Sequence, residues 1–86
     1  MLVMEEVILI IRSILAEKLA DQPPGDDDEL LQGGILDSVG VLDLVTRIEE
    51  AFGVHIAPAD LTEDNFHNIR AIGELVNRLR SPGGTA

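Results

Sequence analysis

The sequence predicts an all-α domain: a four-helix bundle of three main helices and one short one, with a long first loop. Three observations carry this. Apolar residues recur at helical spacing in three segments. No stretch reads convincingly as a strand. Proline or glycine stands at the breaks between the periodic segments, where helices are expected to stop.

The first helix rests on Met4, Ile8, Ile11, Leu15 and Leu19, which follow one another at steps of four and three. Val3, Val7, Ile10 and Ile14 form an adjacent stripe, so the apolar face is broad. The run Val7 to Ile11 taken alone also suits a buried strand; the length of the pattern and the flanking Glu, Arg and Lys favour helix. Asp21 to Gly25 ends it, because Pro23 and Pro24 cannot continue a hydrogen-bond ladder.

A loop is expected over residues 21–36. Loops this long are uncommon in small domains unless something anchors them. Leu30, Leu31, Ile35 and Leu36 are the candidate anchors, and Asp26-Asp27-Asp28-Glu29 reads as a solvated charge run. The second helix starts near Asp37 or Ser38, since either side chain can accept a hydrogen bond from an early helix N–H. Val41, Val45, Ile48 and Phe52 form its inner stripe, flanked by Leu44; Val39, Asp43, Thr46 and Glu50 form the outer one. Gly53 suits the left-handed residue that closes a helix.

Residues 54–61 are expected to be an irregular link containing Pro58. Thr62 caps a short turn through His67, and the last helix runs from about Asn68 to Arg80 with Ile69, Ile72, Val76 and Leu79 inward. The domain is thus expected over 1–80, with a flexible tail over 81–86.

Composition narrows the function. A chain of 86 residues holds one small core. It has no cysteine, so packed aliphatics must stabilise it without disulfides or Cys-based zinc sites. Two Phe and no Trp or Tyr leave no stacking platform for single-stranded nucleic acid. The net charge is -10, and it is concentrated between Asp21 and Asp64, where Arg47 is the one base. Such a polyanion is repelled by nucleic acid and by anionic lipid. Two readings of the charge stand: a face for a basic protein partner, or a solvated surface that keeps the chain dispersed. The longest apolar run, Val7 to Ile11, is far too short to span a bilayer, so a cytoplasmic protein without membrane insertion is expected.

Chemistry-bearing residues are sparse. His55 and His67 stand in connecting regions with no metal-ligand spacing, and the acidic run lacks the alternation and central Gly of a calcium loop. No catalytic residue and no metal site is expected. Ser38 follows Asp37 ahead of an apolar periodic segment, which by itself is a helix-start signal. It has neither a nucleophile elbow nor a placed base, so it is no self-activated nucleophile. A serine modified by another enzyme needs only exposure, a rigid support and a readable surface.

The stretch from Gly34 through Asp37-Ser38-Val39-Gly40 to Glu49-Glu50-Ala51-Phe52-Gly53-Val54 resembles the signature of acyl carrier proteins. The likeness extends to Asn65-Phe66 and the final helix, and so covers most of the chain. It implies a four-helix bundle of acyl-carrier type that is not an enzyme. Ser38 falls on the family's attachment serine for 4'-phosphopantetheine, which a phosphopantetheinyl transferase moves there from coenzyme A. The arm would carry an acyl or aminoacyl group as a thioester for fatty-acid, polyketide, nonribosomal peptide or related pathways. The implied partners are that transferase, a loading ligase and downstream synthases or transferases, meeting a monomeric, free-standing carrier. By matching positions, Asp37, Val39, Asp43, Thr46, Glu49 and Glu50 are the candidate partner contacts. Val39, Gly40 and Arg47 depart from the commoner fatty-acid pattern, and Asp-Ser-x-Gly resembles D-alanyl carriers and some carriers of secondary metabolism. The competing reading is a helical adaptor of the same fold whose serine stays unmodified.

Overall fold

The computed structural model describes residues 3–19 and 24–80. Among these, the chain forms α1 (Met4–Lys18), α2 (Ser38–Phe52), α3 (Glu63–Phe66) and α4 (Ile69–Arg80), with a 3-10 turn at Pro58–Asp60 and no strand. The order of helices is the expected one. The expected tail over 81–86 and the expected helix stop at Pro23 lie outside the described residues.

Helix α1 buries Val7, Ile8, Ile11, Ile14 and Leu15, one contiguous face drawn from both sequence stripes. Leu9, on the other side, stays exposed. The Glu6 carboxylate turns back to accept the Val3 N–H at 3.1 Å, satisfying one of the donors that every helix start leaves free. The helix packs chiefly on α4, and Gly73 is where the two come closest. A Cβ there would lie 3.3 Å from Ile8 Cγ1 and 3.4 Å from Met4 Sδ, so glycine lets the helices approach.

The core is aliphatic apart from Phe66, and among the described residues no polar or charged side chain is buried. Leu15, Leu30, Leu44, Ile48, Ile69, Ile72 and Val76 are almost fully shielded. Each such side chain contributes about 1.5–3 kcal/mol relative to exposure, so this layer supplies the main drive to fold.

The long first loop is held more firmly than its composition suggests. Leu30 and Leu36 are buried, while Leu31 and Ile35 pack against the core's edge. The Leu30 N–H donates to His67 O at 2.9 Å, the Arg70 N–H donates to Asp26 O at 3.2 Å, and Leu36 N–H closes on Leu30 O at 2.8 Å. The acidic run is largely solvated, as expected, but it also makes contacts that the sequence did not show. Asp26 pairs with Arg12 of α1, Asp27 with Arg70 of α4 at 3.0 Å, and Glu29 Oε1 lies 3.4 Å from His67 Nδ1. Asp28 Oδ2 accepts the Gly25 N–H at 2.8 Å. The reason is tertiary: α1 and α4 present their arginines on either side of the loop. The hydrogen bond and charge of Arg70 hold the Asp27 carboxyl below its ordinary range, and Asp27 in turn raises Arg70.

The link between α2 and α3 is also more ordered than the sequence suggests. Pro58 opens the 3-10 turn, and Asp60 Oδ2 accepts the Ala57 N–H at 3.1 Å. Thr62 caps α3 as expected, its Oγ1 accepting from Asn65 N at 3.2 Å. Asn68 caps α4 rather than opening it: its Oδ1 accepts the Ala71 N–H at 2.7 Å.

Candidate functional site

Ser38 is the first residue of α2 and is exposed. Asp37 sets its position. The Asp37 backbone is extended and its Oδ1 accepts the Gly40 N–H at 2.8 Å, so Asp37 is the cap and Ser38 is left outside the capping bond. Ser38 Oγ makes no hydrogen bond to another described residue. Gly40 belongs to the same arrangement. A Cβ at Gly40 would lie 3.2 Å from both Asp37 Oδ1 and Leu36 Cδ2, so its absence lets the cap and the buried Leu36 close over the helix start. Gly34, at φ 76°, makes the left-handed turn that brings the loop to this point.

Ser38 sits on the wall of a groove of about 540 Å³ between the start of α2 and α3. That size falls within the roughly 300–1,000 Å³ of small-ligand clefts. The wall is mostly apolar, with Leu31, Leu36, Val41 and Leu42 on one side and Leu61 and Phe66 on the other. Leu42 is 57% exposed and Leu61 38%, which is unusual for large aliphatics and marks a surface suited to contact. Neither leucine was singled out from the sequence. Their signal was a break in pattern: Leu42 follows Val41 on a helix whose inner stripe is already complete.

The other sequence-derived residues fall into two groups. Val39 at 75% exposure, Asp37, Thr46 and Glu50 face outward beside Ser38 or along α2. Thr46 turns its hydroxyl back onto its own helix, donating to Leu42 O at 3.2 Å. Asp43 and Glu49 are committed within the chain. Asp43 Oδ2 accepts from Lys18 Nζ of α1 at 2.6 Å and from Arg47 Nε at 3.1 Å. The Lys18 hydrogen bond, aided by Arg47 and by the two charges, holds the Asp43 carboxyl below its ordinary range. Glu49 Oε2 accepts the Ile56 N–H at 2.8 Å and lies 3.3 Å from His55 Nδ1, which ties the end of α2 to the following link. Arg47 also reaches toward Glu17 of α1 at 3.8 Å. The middle of α2 is thus locally neutralised, and its exposed start is apolar.

Among the described residues no cluster of three or more candidate ligands could hold a metal ion, and His55 and His67 lie against separate glutamates. No described helix is long and apolar enough to cross a membrane.

A family described as phosphopantetheine attachment site matches residues 10–76, which contain α2, the groove and Ser38. The chain belongs to that carrier family. It is therefore a non-catalytic carrier whose family bears a covalent 4'-phosphopantetheine. Relatives include the D-alanyl carrier protein of Streptococcus sanguinis, 30% identical over 76 residues covering 88% of this chain and 92% of the relative. That of Streptococcus gordonii is 31% identical over the same shares. That of Leuconostoc citreum is 30% identical over 79 residues, 92% of this chain and 97% of the relative.

The residues present fit the family's group. An exposed hydroxyl at the start of a 15-residue helix places a phosphodiester at the positive end of the helix dipole, near backbone N–H groups that have no partner inside the helix. When bound, the group supplies a terminal thiol for a thioester link. Ser38 would hold it through its hydroxyl oxygen, on the first turn of α2 and beside the apolar groove.

Proposed function

We propose that Ser38 is the attachment residue and that this carrier holds an aminoacyl group, of the kind named for its D-alanyl relatives, for transfer by partner enzymes. The observation that carries this is the exposed Ser38 hydroxyl on the wall of an apolar groove, inside the segment that matches the family. In the attachment step the Ser38 oxygen forms a bond to the phosphorus next to pantetheine. The pyrophosphate link of coenzyme A breaks, and the adenosine portion leaves with the other phosphate. The serine proton passes to a base on the transferase, since no described His or carboxylate hydrogen-bonds to Ser38. Because coenzyme A is the donor, the reaction belongs in the cytoplasm, and the carrier acts there as a monomer.

Partners approach through Asp37, Val39, Thr46 and Glu50. Val39 and Leu42 supply apolar contact beside the arm, and the acids set encounter rate and partner choice. Asp43 and Glu49 act chiefly within the fold. The chemistry of Gly40 and Arg47 sets the chain apart from the commoner fatty-acid pattern and agrees with an aminoacyl cargo; polyketide and other acyl cargo are the alternatives. Incubation with coenzyme A and a broad-specificity transferase tests the attachment. Intact mass rises by one phosphopantetheine in the wild type and stays unchanged in Ser38→Ala. A wild-type chain that gains no mass with several transferases is instead an adaptor with an unmodified serine. Loading by amino-acid ligases and by acyl ligases then separates the cargo classes.

A further inference from the structure

Lys18 is the one lysine of the chain; the other basic side chains counted in its charge are arginines. The difference matters for a carrier of activated acyl groups. A neutral lysine amine attacks a thioester, whereas a guanidinium stays protonated and has no lone pair to attack with. Lys18 ends α1 and lines a cleft of about 240 Å³ with Gly34, Ile35, Leu36, Asp37 and Gly40, which flank Ser38 in the chain. The lysine amine thus belongs to the α1 side of the helix start, where an arm on Ser38 is tethered. Tethering raises the local concentration of the cargo to roughly millimolar.

The surroundings of Lys18 keep it out of that reaction. Its side chain is only 16% exposed, and Nζ donates to Asp43 Oδ2 at 2.6 Å. Arg47 Nε donates to the same oxygen at 3.1 Å, which fixes the carboxylate from the other side. An ammonium held on a carboxylate has neither a lone pair nor the freedom to swing toward a thioester.

We propose that Lys18 is a latent acyl acceptor and that Asp43 holds it unreactive, so that the carrier does not lose its cargo to itself. In the reaction held back, the Lys18 nitrogen bonds to the thioester carbonyl carbon and the carbon–sulfur bond breaks. The proton shed by nitrogen passes to the leaving thiolate. The products are an amide on Lys18 and an arm with a free thiol. This rests on Ser38 carrying the arm, as proposed above.

The test loads the full chain with acetyl-phosphopantetheine, using acetyl-coenzyme A and a broad-specificity transferase, and then removes excess coenzyme. After incubation at mildly alkaline pH, hydroxylamine strips acetyl groups held as thioester. Intact mass and peptide mapping read what remains as amide. Asp43→Asn should form the Lys18 amide about 1.5- to 5-fold faster than the wild type, the range for a partly exposed ion pair. That rate should be independent of protein concentration. Asp43→Glu should restore protection, and Lys18→Arg should abolish the product. Ile48→Val, which loosens the core and leaves the clasp in place, should match the wild type. An Asp43→Asn chain no faster than the wild type, or an Ile48→Val chain as fast as Asp43→Asn, overturns the inference while leaving Ser38 as the attachment point. A chain that takes no arm at all overturns both.

Discussion

Asp37 and Ser38 divide two tasks that either residue could perform. Both can cap a helix, and in sequence the assignment was open. In the structure Asp37 Oδ1 takes the Gly40 N–H, which leaves the serine hydroxyl free to be modified. Removing the cap should cost stability without removing the Ser38 hydroxyl. Asp37→Ala is expected to lose about 1 kcal/mol and Asp37→Asn only a few tenths, because Asn caps nearly as well. For a domain this small, 1 kcal/mol is a fall in Tm of about 4–8 °C, readable by thermal melting. Both variants should still gain one phosphopantetheine. An Asp37→Ala chain as stable as the wild type would show that the capping bond contributes nothing.

Helix α2 turns one face to the core and another to solvent, and Leu44 and Leu42 stand on opposite sides of that divide. Leu44 is fully shielded and Leu42 is 57% exposed. Leu44→Ala should destabilise the fold by about 2–5 kcal/mol, measured by urea unfolding. Leu42→Ala should leave stability nearly unchanged and slow loading by a partner ligase. The reverse pattern would mean that the exposed face is not the recognition face. Periodicity identified Val45 and Ile48 as inward residues, and both are buried. It also set Leu44 beside that stripe, but it gave Leu42 no role, because the groove that Leu42 lines exists only where α3 lies near the helix start.

The clasp of Lys18, Asp43 and Arg47 joins α1 to α2 and has a pH signature. The Asp43 carboxyl is held below its ordinary range in the folded chain by the Lys18 hydrogen bond, with Arg47 assisting. A group whose folded pKa is lowered stabilises the fold above its unfolded pKa, and that contribution fades as pH falls through the folded value. The Tm difference between wild type and Asp43→Asn should therefore be largest near neutral pH and shrink as pH falls below about 4. A difference that holds constant down to strongly acid pH would count against an ionised Asp43 as the centre of the clasp. The Asp43–Arg47 pair was legible from the four-residue spacing. Lys18, 25 residues away, was not, because only the packing of α1 on α2 brings it there.

At the scale of the molecule, the charge of -10 acts on the whole fold. Several central acids have cationic partners, namely Asp26, Asp27 and Asp43. Exposed pairs are individually weak, so the net repulsion should still outweigh them. Added salt or magnesium should raise Tm, checked by melting across a series of ionic strengths. A Tm that falls with salt would show that the ion pairs holding the first loop dominate instead. The partner surface also looks different at this scale. The acidic middle of the sequence suggested a basic partner, yet Asp26, Asp27 and Asp43 are already paired with cations of the chain itself. What is left beside Ser38 is an apolar patch of Val39, Leu42 and Leu61 with acids at its margin.

The sequence by itself determined the helices, the caps at Thr62 and Gly53, the inward stripes, and the position of the candidate serine. These depend on neighbours within one or two helical turns, and local spacing records them directly. Tertiary structure alone decided which acids are free. It paired Asp26, Asp27 and Asp43 with cations 14, 43 and 25 residues distant, turned Glu49 onto the next link, and left Glu63 beside the groove. It also built the groove, whose lining comes from residues 31–42 and residues 61–66. Such contacts depend on how helices pack, and no spacing within a single helix encodes that.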